Sequence, residues 1–234
     1  MNIALLMMGG SGTRCGASVP KQFIEINNTP IYGYILKGLN SVKSIDKVIV
    51  VCHKDWIKTV EKYSIENNIN KLHSVIAGGD TRSESVLNGL NKASEFAKPD
   101  DVVMMYDTTH PYIDEIGINE LIEAVKEHGG ATLGQRQYDT CYMIDENDML
   151  TKVVPRQYIV SGASPEAFLF EKIYSIYKNA PKEELDKMTS AGAIALAHNI
   201  PMKICTLNTI NLKITYPDDI EILKELINYN FKGV

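Results

Sequence analysis

Ile3-Ala4-Leu5-Leu6-Met7-Met8-Gly9-Gly10-Ser11-Gly12-Thr13-Arg14-Cys15-Gly16, followed shortly by Pro20-Lys21-Gln22-Phe23, is the stretch on which the rest of the chain is organised. Its apolar run has the length of a buried strand. The run empties into Gly9, Gly10, Gly12 and Gly16, which removes the Cβ atoms that would hold a phosphate or base off the backbone and permits positive φ at little cost. Successive bare amides bind anions. Arg14 adds a planar fork and Lys21 a point charge, as a triphosphate and its developing transition-state charge require.

Two familiar glycine loops do not fit. Gly10, Gly12 and Gly16 read G-x-G-x-x-x-G with an arginine inside, not the dinucleotide G-x-G-x-x-G, and Lys21 stands between Pro20 and Gln22, not in a Walker Gly-Lys-Ser/Thr. The 234 residues suit one α/β domain. A net charge of -5 argues against a nucleic-acid surface, so an anionic substrate must be met by locally placed cations. Four scattered cysteines and five histidines show no metal-ligand spacing. With no signal-peptide pattern and no apolar run of membrane-spanning length, the expectation is a cytoplasmic protein with no membrane partner.

Beyond the first loop the apolar periodicity alternates. Thr29-Pro30 reads as cap and first-turn proline of a helix beginning at Ile31, Val48 to Cys52 as a strand buried on both faces, and Trp56 to Asn67 as a helix. Ser74 to Ala77, Val102 to Tyr106, Ala131 to Gly134 and Lys203 to Leu207 read as further strands, and a last amphipathic helix runs from about Asp218 to Asn230. This rhythm predicts one α/β domain over residues 1–234, a Rossmann-like mostly parallel sheet with helices on both faces. Tyr138 to Ile144 and Leu150 to Val154 flank Asp145-Glu146-Asn147-Asp148 as a protruding β-hairpin arm at about 137–157, which cannot be stable alone.

Ligands of such sheets gather beyond the carboxyl ends of the strands, and two more motifs fall there. Gly78-Gly79-Asp80-Thr81-Arg82-Ser83-Glu84-Ser85-Val86 follows one strand; Asp107-Thr108-Thr109-His110-Pro111 follows another. Asp80 can accept from an exocyclic amine or cap a helix. Asp107 can hold Mg²⁺ or cap a helix. Near the carboxyl end stands Asn211-Leu212-Lys213-Ile214-Thr215-Tyr216-Pro217-Asp218-Asp219.

Taken together, G-G-x-G-T-R-x-G, P-K-Q-F, G-G-x-x-R-x-x-S-V and N-x-K-x-T-x-P-x-D resemble the cytidylyltransferases that activate phosphorylated polyols with CTP, a nucleotidyltransferase family serving isoprenoid and wall-polymer synthesis. The resemblance implies transfer of CMP from CTP to a small polyol phosphate, with Mg²⁺ as cofactor and a homodimer as the assembly. It implies catalytic roles for Arg14, Lys21 and Lys213. Met8, Gly9, Gly10, Gly12, Thr13, Gly79, Asp80 and Ser85 would hold the nucleotide, with Asp107 there also at the metal. His110, Thr140, Arg156 and Thr189 would bind the acceptor, Thr140 and Arg156 by reaching into a partner subunit.

Departures cluster on the acceptor side. The family's H-D-x-x-R-P has Tyr106 and His110 in place of its histidine and arginine, T-P-Q has become Ser164-Pro165-Glu166, and T-D has become Thr189-Ser190. Histidine is shorter than arginine and only partly charged near neutrality. These changes bear on both acceptors of the resembled family; the first expectation is ribitol 5-phosphate or a related polyol phosphate, with methylerythritol phosphate second. A noncatalytic CTP-binding subunit is the remoter alternative. A glycosyltransferase would carry Asp-x-Asp where Asp107 is followed by Thr108-Thr109.

Overall fold

Alternation along the first strand sorts its side chains between two cores. In the computed structural model, which describes residues 1–9 and 19–229, Ala4, Leu6 and Met8 face one layer of helices and Ile3, Leu5 and Met7 the other. In chain order the elements are β1 (Asn2–Met8), β2 (Glu25–Ile26), β3 (Thr29–Pro30), α1 (Ile31–Ser41), β4 (Lys47–Cys52), α2 (Ile57–Glu66), β5 (Leu72–Ala77), α3 (Arg82–Ala93), β6 (Val102–Asp107), α4 (Glu115–His128) and β7 (Gly130–Arg136). There follow β8 (Cys141–Ile144), β9 (Leu150–Val154), β10 (Val160–Leu169), α5 (Phe170–Asn179), α6 (Lys182–Asp186), α7 (Ala191–Ala197), β11 (Met202–Thr206) and α8 (Pro217–Asn228).

The main sheet has the order β11-β7-β10-β6-β1-β4-β5, and β10 alone runs against its neighbours. Residues of α1, α2 and α4 pack on one face and residues of α3, α5 and α7 on the other. The mostly parallel sheet covered on both faces is thus as expected. Strand β10 is the addition. Its segment, Val160 to Leu169, contains Gly162 and Pro165 and so does not read as an interior strand. The sheet accommodates the proline where the β7–β10 register shifts, between Gly162 and Glu166. Thr29 is not the cap of α1 either: it pairs with Ile26 in a two-stranded turn, and Pro30 precedes the helix.

A third, smaller core joins Ile26 and Ile31 to Leu212, Ile214, Ile220 and Leu223. Leu212 and Ile214 are buried and Lys213 between them is exposed, so the alternation that anchors this segment turns the lysine outward. Strands β8 and β9 form a separate two-stranded sheet. Its apolar side chains are uncovered: Ile144 is 55% exposed, Leu150 65% and Val153 60%. Among the described residues no helix is long and apolar enough to cross a membrane.

Candidate active site

Strand β1 lies between β6 and β4, where the order of the sheet reverses, and the carboxyl ends of these strands form the rim on which such folds bind ligands. Met8 and Gly9 stand there; Gly10, Gly12, Thr13 and Arg14 lie outside the described residues. The return of the loop is fixed by Gln22, whose buried amide donates to the Met8 carbonyl at 2.8 Å. This sets the short helical turn Lys21–Phe23 against the end of β1. From that turn the Lys21 ammonium donates to the Ile214 carbonyl at 2.7 Å, and the Ile214 amide donates to the Thr109 carbonyl at 2.7 Å. Three distant stretches are thereby laid side by side.

The second loop meets the first through Ser85. Its Oγ accepts from the Gly79 amide at 3.1 Å and donates to the Thr81 carbonyl at 2.9 Å. A Cβ on Gly78 would come within 2.8 Å of that oxygen, so the second loop closes on Ser85 by lacking a side chain there, and Gly9 of the first loop lies beside the same hydroxyl. The cap of α3 is built by Thr81 and Glu84. Thr81 Oγ1 accepts from the Glu84 amide at 3.2 Å, and Glu84 Oε2 accepts from the Asp80 and Thr81 amides at 2.7 and 3.1 Å. Asp80 is not the cap, and its side chain is exposed on the rim.

Asp107 ends β6. Its amide donates to Ser164 Oγ at 3.0 Å, its Oδ1 accepts from the Thr109 amide at 3.1 Å, and its Oδ2 lies 4.0 Å from Arg82 Nη1. It caps no helix: α4 is capped by Asp114, which accepts from the Gly117 amide at 3.0 Å. Ser164 is held in turn, since its amide donates to the Tyr112 hydroxyl oxygen at 3.4 Å, and that hydroxyl donates to Asn211 Oδ1 at 3.0 Å.

His110 sits at the centre, 8% exposed. Burial pushes its ring down to about 4. Asp107 opposes that shift, while Lys213, Lys21 and Arg82 add to it. The ring is therefore neutral near pH 7, and four charged groups from four parts of the chain are close enough to act on it. Its partially charged replacement of arginine turns out to be an uncharged one.

Thr189 is exposed immediately before α7, and Thr140 is exposed on the arm. The Arg156 guanidinium donates to the Tyr138 carbonyl at the base of the arm. The departures at 166 and 190 have local partners: Glu166 Oε2 and Oε1 accept from the Ala191 and Gly192 amides, each at 3.0 Å, and Ser190 Oγ accepts from the Ala193 amide at 3.1 Å. Arg82 and Asn211 stand in the site beyond the expected residues; their fixed spacing from Ser85 and Lys213 is the sequence signal for them. Tyr112 carries no such signal, because what it accepts from is a backbone amide.

Among the described residues no group of three or more His, Cys, Asp or Glu side chains is placed to hold a metal. A single hard carboxylate still fits Mg²⁺ that arrives with phosphates, which this ion commonly binds through one or two carboxylates and water. Asp107 supplies that donor type on the rim.

The family model for 2-C-methyl-D-erythritol 4-phosphate cytidylyltransferase (IspD) matches residues 2–228. A ribitol-5-phosphate cytidylyltransferase of Vibrio parahaemolyticus is 33% identical over 97% of this chain and 96% of its own length. A 2-C-methyl-D-erythritol 4-phosphate cytidylyltransferase of Clostridium botulinum is 32% identical over 96% of this chain and 98% of its own. The crystal structure of a 4-diphosphocytidyl-2C-methyl-D-erythritol synthase from Anaerococcus prevotii superposes with a TM-score of 0.80 at 22% identity, covering 97% of this chain and 96% of that one. With the rim, the motifs and nearly the whole length in agreement, the chain belongs to the IspD family of cytidylyltransferases, which are nucleotidyltransferase enzymes.

Proposed function

We propose that this protein transfers CMP from CTP to ribitol 5-phosphate or a related polyol phosphate, giving a CDP-polyol and pyrophosphate. The observation that carries the reading is that the Lys21–Ile214 and Ile214–Thr109 hydrogen bonds, with Arg82 4.0 Å from Asp107, bring four distant motifs together on the rim of the sheet. An oxygen of the acceptor phosphate bonds to the α-phosphorus as the bond to the β-phosphate oxygen breaks. That oxygen is already ionised at neutral pH, so no general base is required. The protein's task is to align two polyanions and cancel charge at the phosphorus.

Gly9, Gly10, Gly12 and Thr13 cradle the triphosphate, with Arg14 and Lys21 on its oxygens. Gly79, Asp80 and Ser85 take the cytidine side; Asp80 accepts from the exocyclic amine that cytosine has and uracil lacks. Lys213 joins Arg14 and Lys21 in cancelling charge at the phosphorus, and His110 and Thr189 bind the acceptor. Asp107 would help hold Mg²⁺, which would supply positive charge beside the phosphates. The uncovered apolar arm fits against a second subunit, bringing Thr140 and Arg156 with it; because CTP is a cytosolic metabolite, we place the enzyme in the cytoplasm.

The order of acceptors follows the match to the Vibrio ribitol enzyme. Methylerythritol phosphate is the second reading, favoured by the family model and the Clostridium relative. Incubation with CTP, Mg²⁺ and each polyol phosphate, following pyrophosphate, decides between them. Release with methylerythritol phosphate alone would reject the stated order.

A further inference from the structure

Glu166 lies mid-sheet on β10, paired with Met105 of β6 and Thr132 of β7. Its carboxylate grips the first two amides of α7 while Ser190 takes the third. A Cβ on Gly192 would come within 2.5 Å of Glu166 Oε1, so this approach depends on glycine at 192. A seven-residue helix has little stability of its own, and its position is set by whatever holds its ends. The held end matters, because Ser190 and Ile194 wall a cavity of about 180 Å³ together with Arg82, Tyr177 and Asp186. Arg82 is the group 4.0 Å from Asp107. Two residues before Glu166, Ser164 accepts the Asp107 amide. One strand thus secures both the Asp107 turn and the segment bearing Thr189.

We propose that Glu166 is a positioning residue for the acceptor, holding Thr189 and Ser190 in register with Asp107 without touching the reacting atoms; this rests on the transfer reaction proposed above. A carboxylate can accept from both amides. A glutamine can accept from only one and turns an N–H toward the other. The resembled pattern has the amide at 166 and the acid at 190, whereas this chain has the acid at 166 and a hydroxyl at 190. One carboxylate has changed sides of the same helix end, and serine and aspartate are interchangeable as caps there.

The test is steady-state kinetics with CTP and ribitol 5-phosphate on the wild type, Glu166→Ala, Glu166→Gln, and Glu166→Gln combined with Ser190→Asp. Glu166→Ala is expected to raise KM for the acceptor by about tenfold, as for a small misplacement of a positioning group, with KM for CTP within twofold. The combined variant should recover most of what Glu166→Gln loses. An unchanged acceptor KM in Glu166→Ala would overturn the proposal, as would equal rises in both KM values alongside a lowered melting temperature. If the wild type turns over neither ribitol 5-phosphate nor methylerythritol phosphate, the reaction assigned above fails on its own. Amide hydrogen exchange over residues 188–195 then judges the placement: faster exchange in Glu166→Ala than in the wild type supports it, and equal exchange overturns it.

Discussion

Replacing Lys21 by methionine keeps the unbranched apolar stem and removes the charged end, which separates two consequences of the bond to Ile214. The 2.7 Å contact is a charged donor on a peptide carbonyl at a half-buried position, worth about 1.5 kcal/mol, the low end for such bonds. In a chain of this size that lowers the melting temperature by roughly 3–6 °C. The catalytic loss is larger. A preorganised charge aimed at the transition state contributes about 2.7–4 kcal/mol, so turnover should fall roughly a hundred- to a thousandfold. Pyrophosphate release at saturating CTP and acceptor, beside calorimetry of the same samples, measures both. Turnover within about fivefold of wild type, together with the expected fall in melting temperature, would reduce Lys21 to a strap between two loops.

Asp80→Asn leaves the Thr81–Glu84 cap untouched, so the melting temperature should hold while preference for CTP over UTP falls by about tenfold or more; an unchanged preference removes Asp80 from base recognition. His110 makes stability pH-dependent. Its folded value of about 4 lies below the ordinary 6.5, so the neutral ring's contribution is whole above about pH 6.5 and is lost as pH falls toward 4, by up to about 3 kcal/mol. Urea unfolding at pH 7 and pH 5 should show this loss in the wild type and less of it in His110→Gln; equal losses would contradict the burial argument. Leu150→Lys combined with Val153→Lys places charges on the uncovered face of the arm. Sedimentation should then report a monomer, against the dimer proposed for the wild type, and a persisting dimer would mean that other surfaces join the subunits.

The sheet was legible where one force acted alone. β1, β4 and β6 are apolar runs buried on both faces, and burial of that kind leaves an unbroken signature in sequence. β10 was not legible, because its Gly162 and Pro165 obey local constraints that a sheet interior normally forbids. The rim loops could be read from glycine and charge spacing. The contacts that support them could not: Ser164, Tyr112 and Gln22 meet backbone groups, which carry no mark in sequence. Glu166 and Ser190 read as acceptor-side changes, but their observed partners are amides of α7. A lone carboxylate in sequence does not reveal whether it will face a ligand or a helix end.

Lys21 and the carbonyl it meets are 193 positions apart, and the residues flanking that carbonyl are pinned by α8. During synthesis the glycine loop leaves the ribosome long before its clasp exists. A nascent chain would therefore hold nucleotide weakly until its last helix has emerged and docked, and early binding cannot template the fold from the amino end.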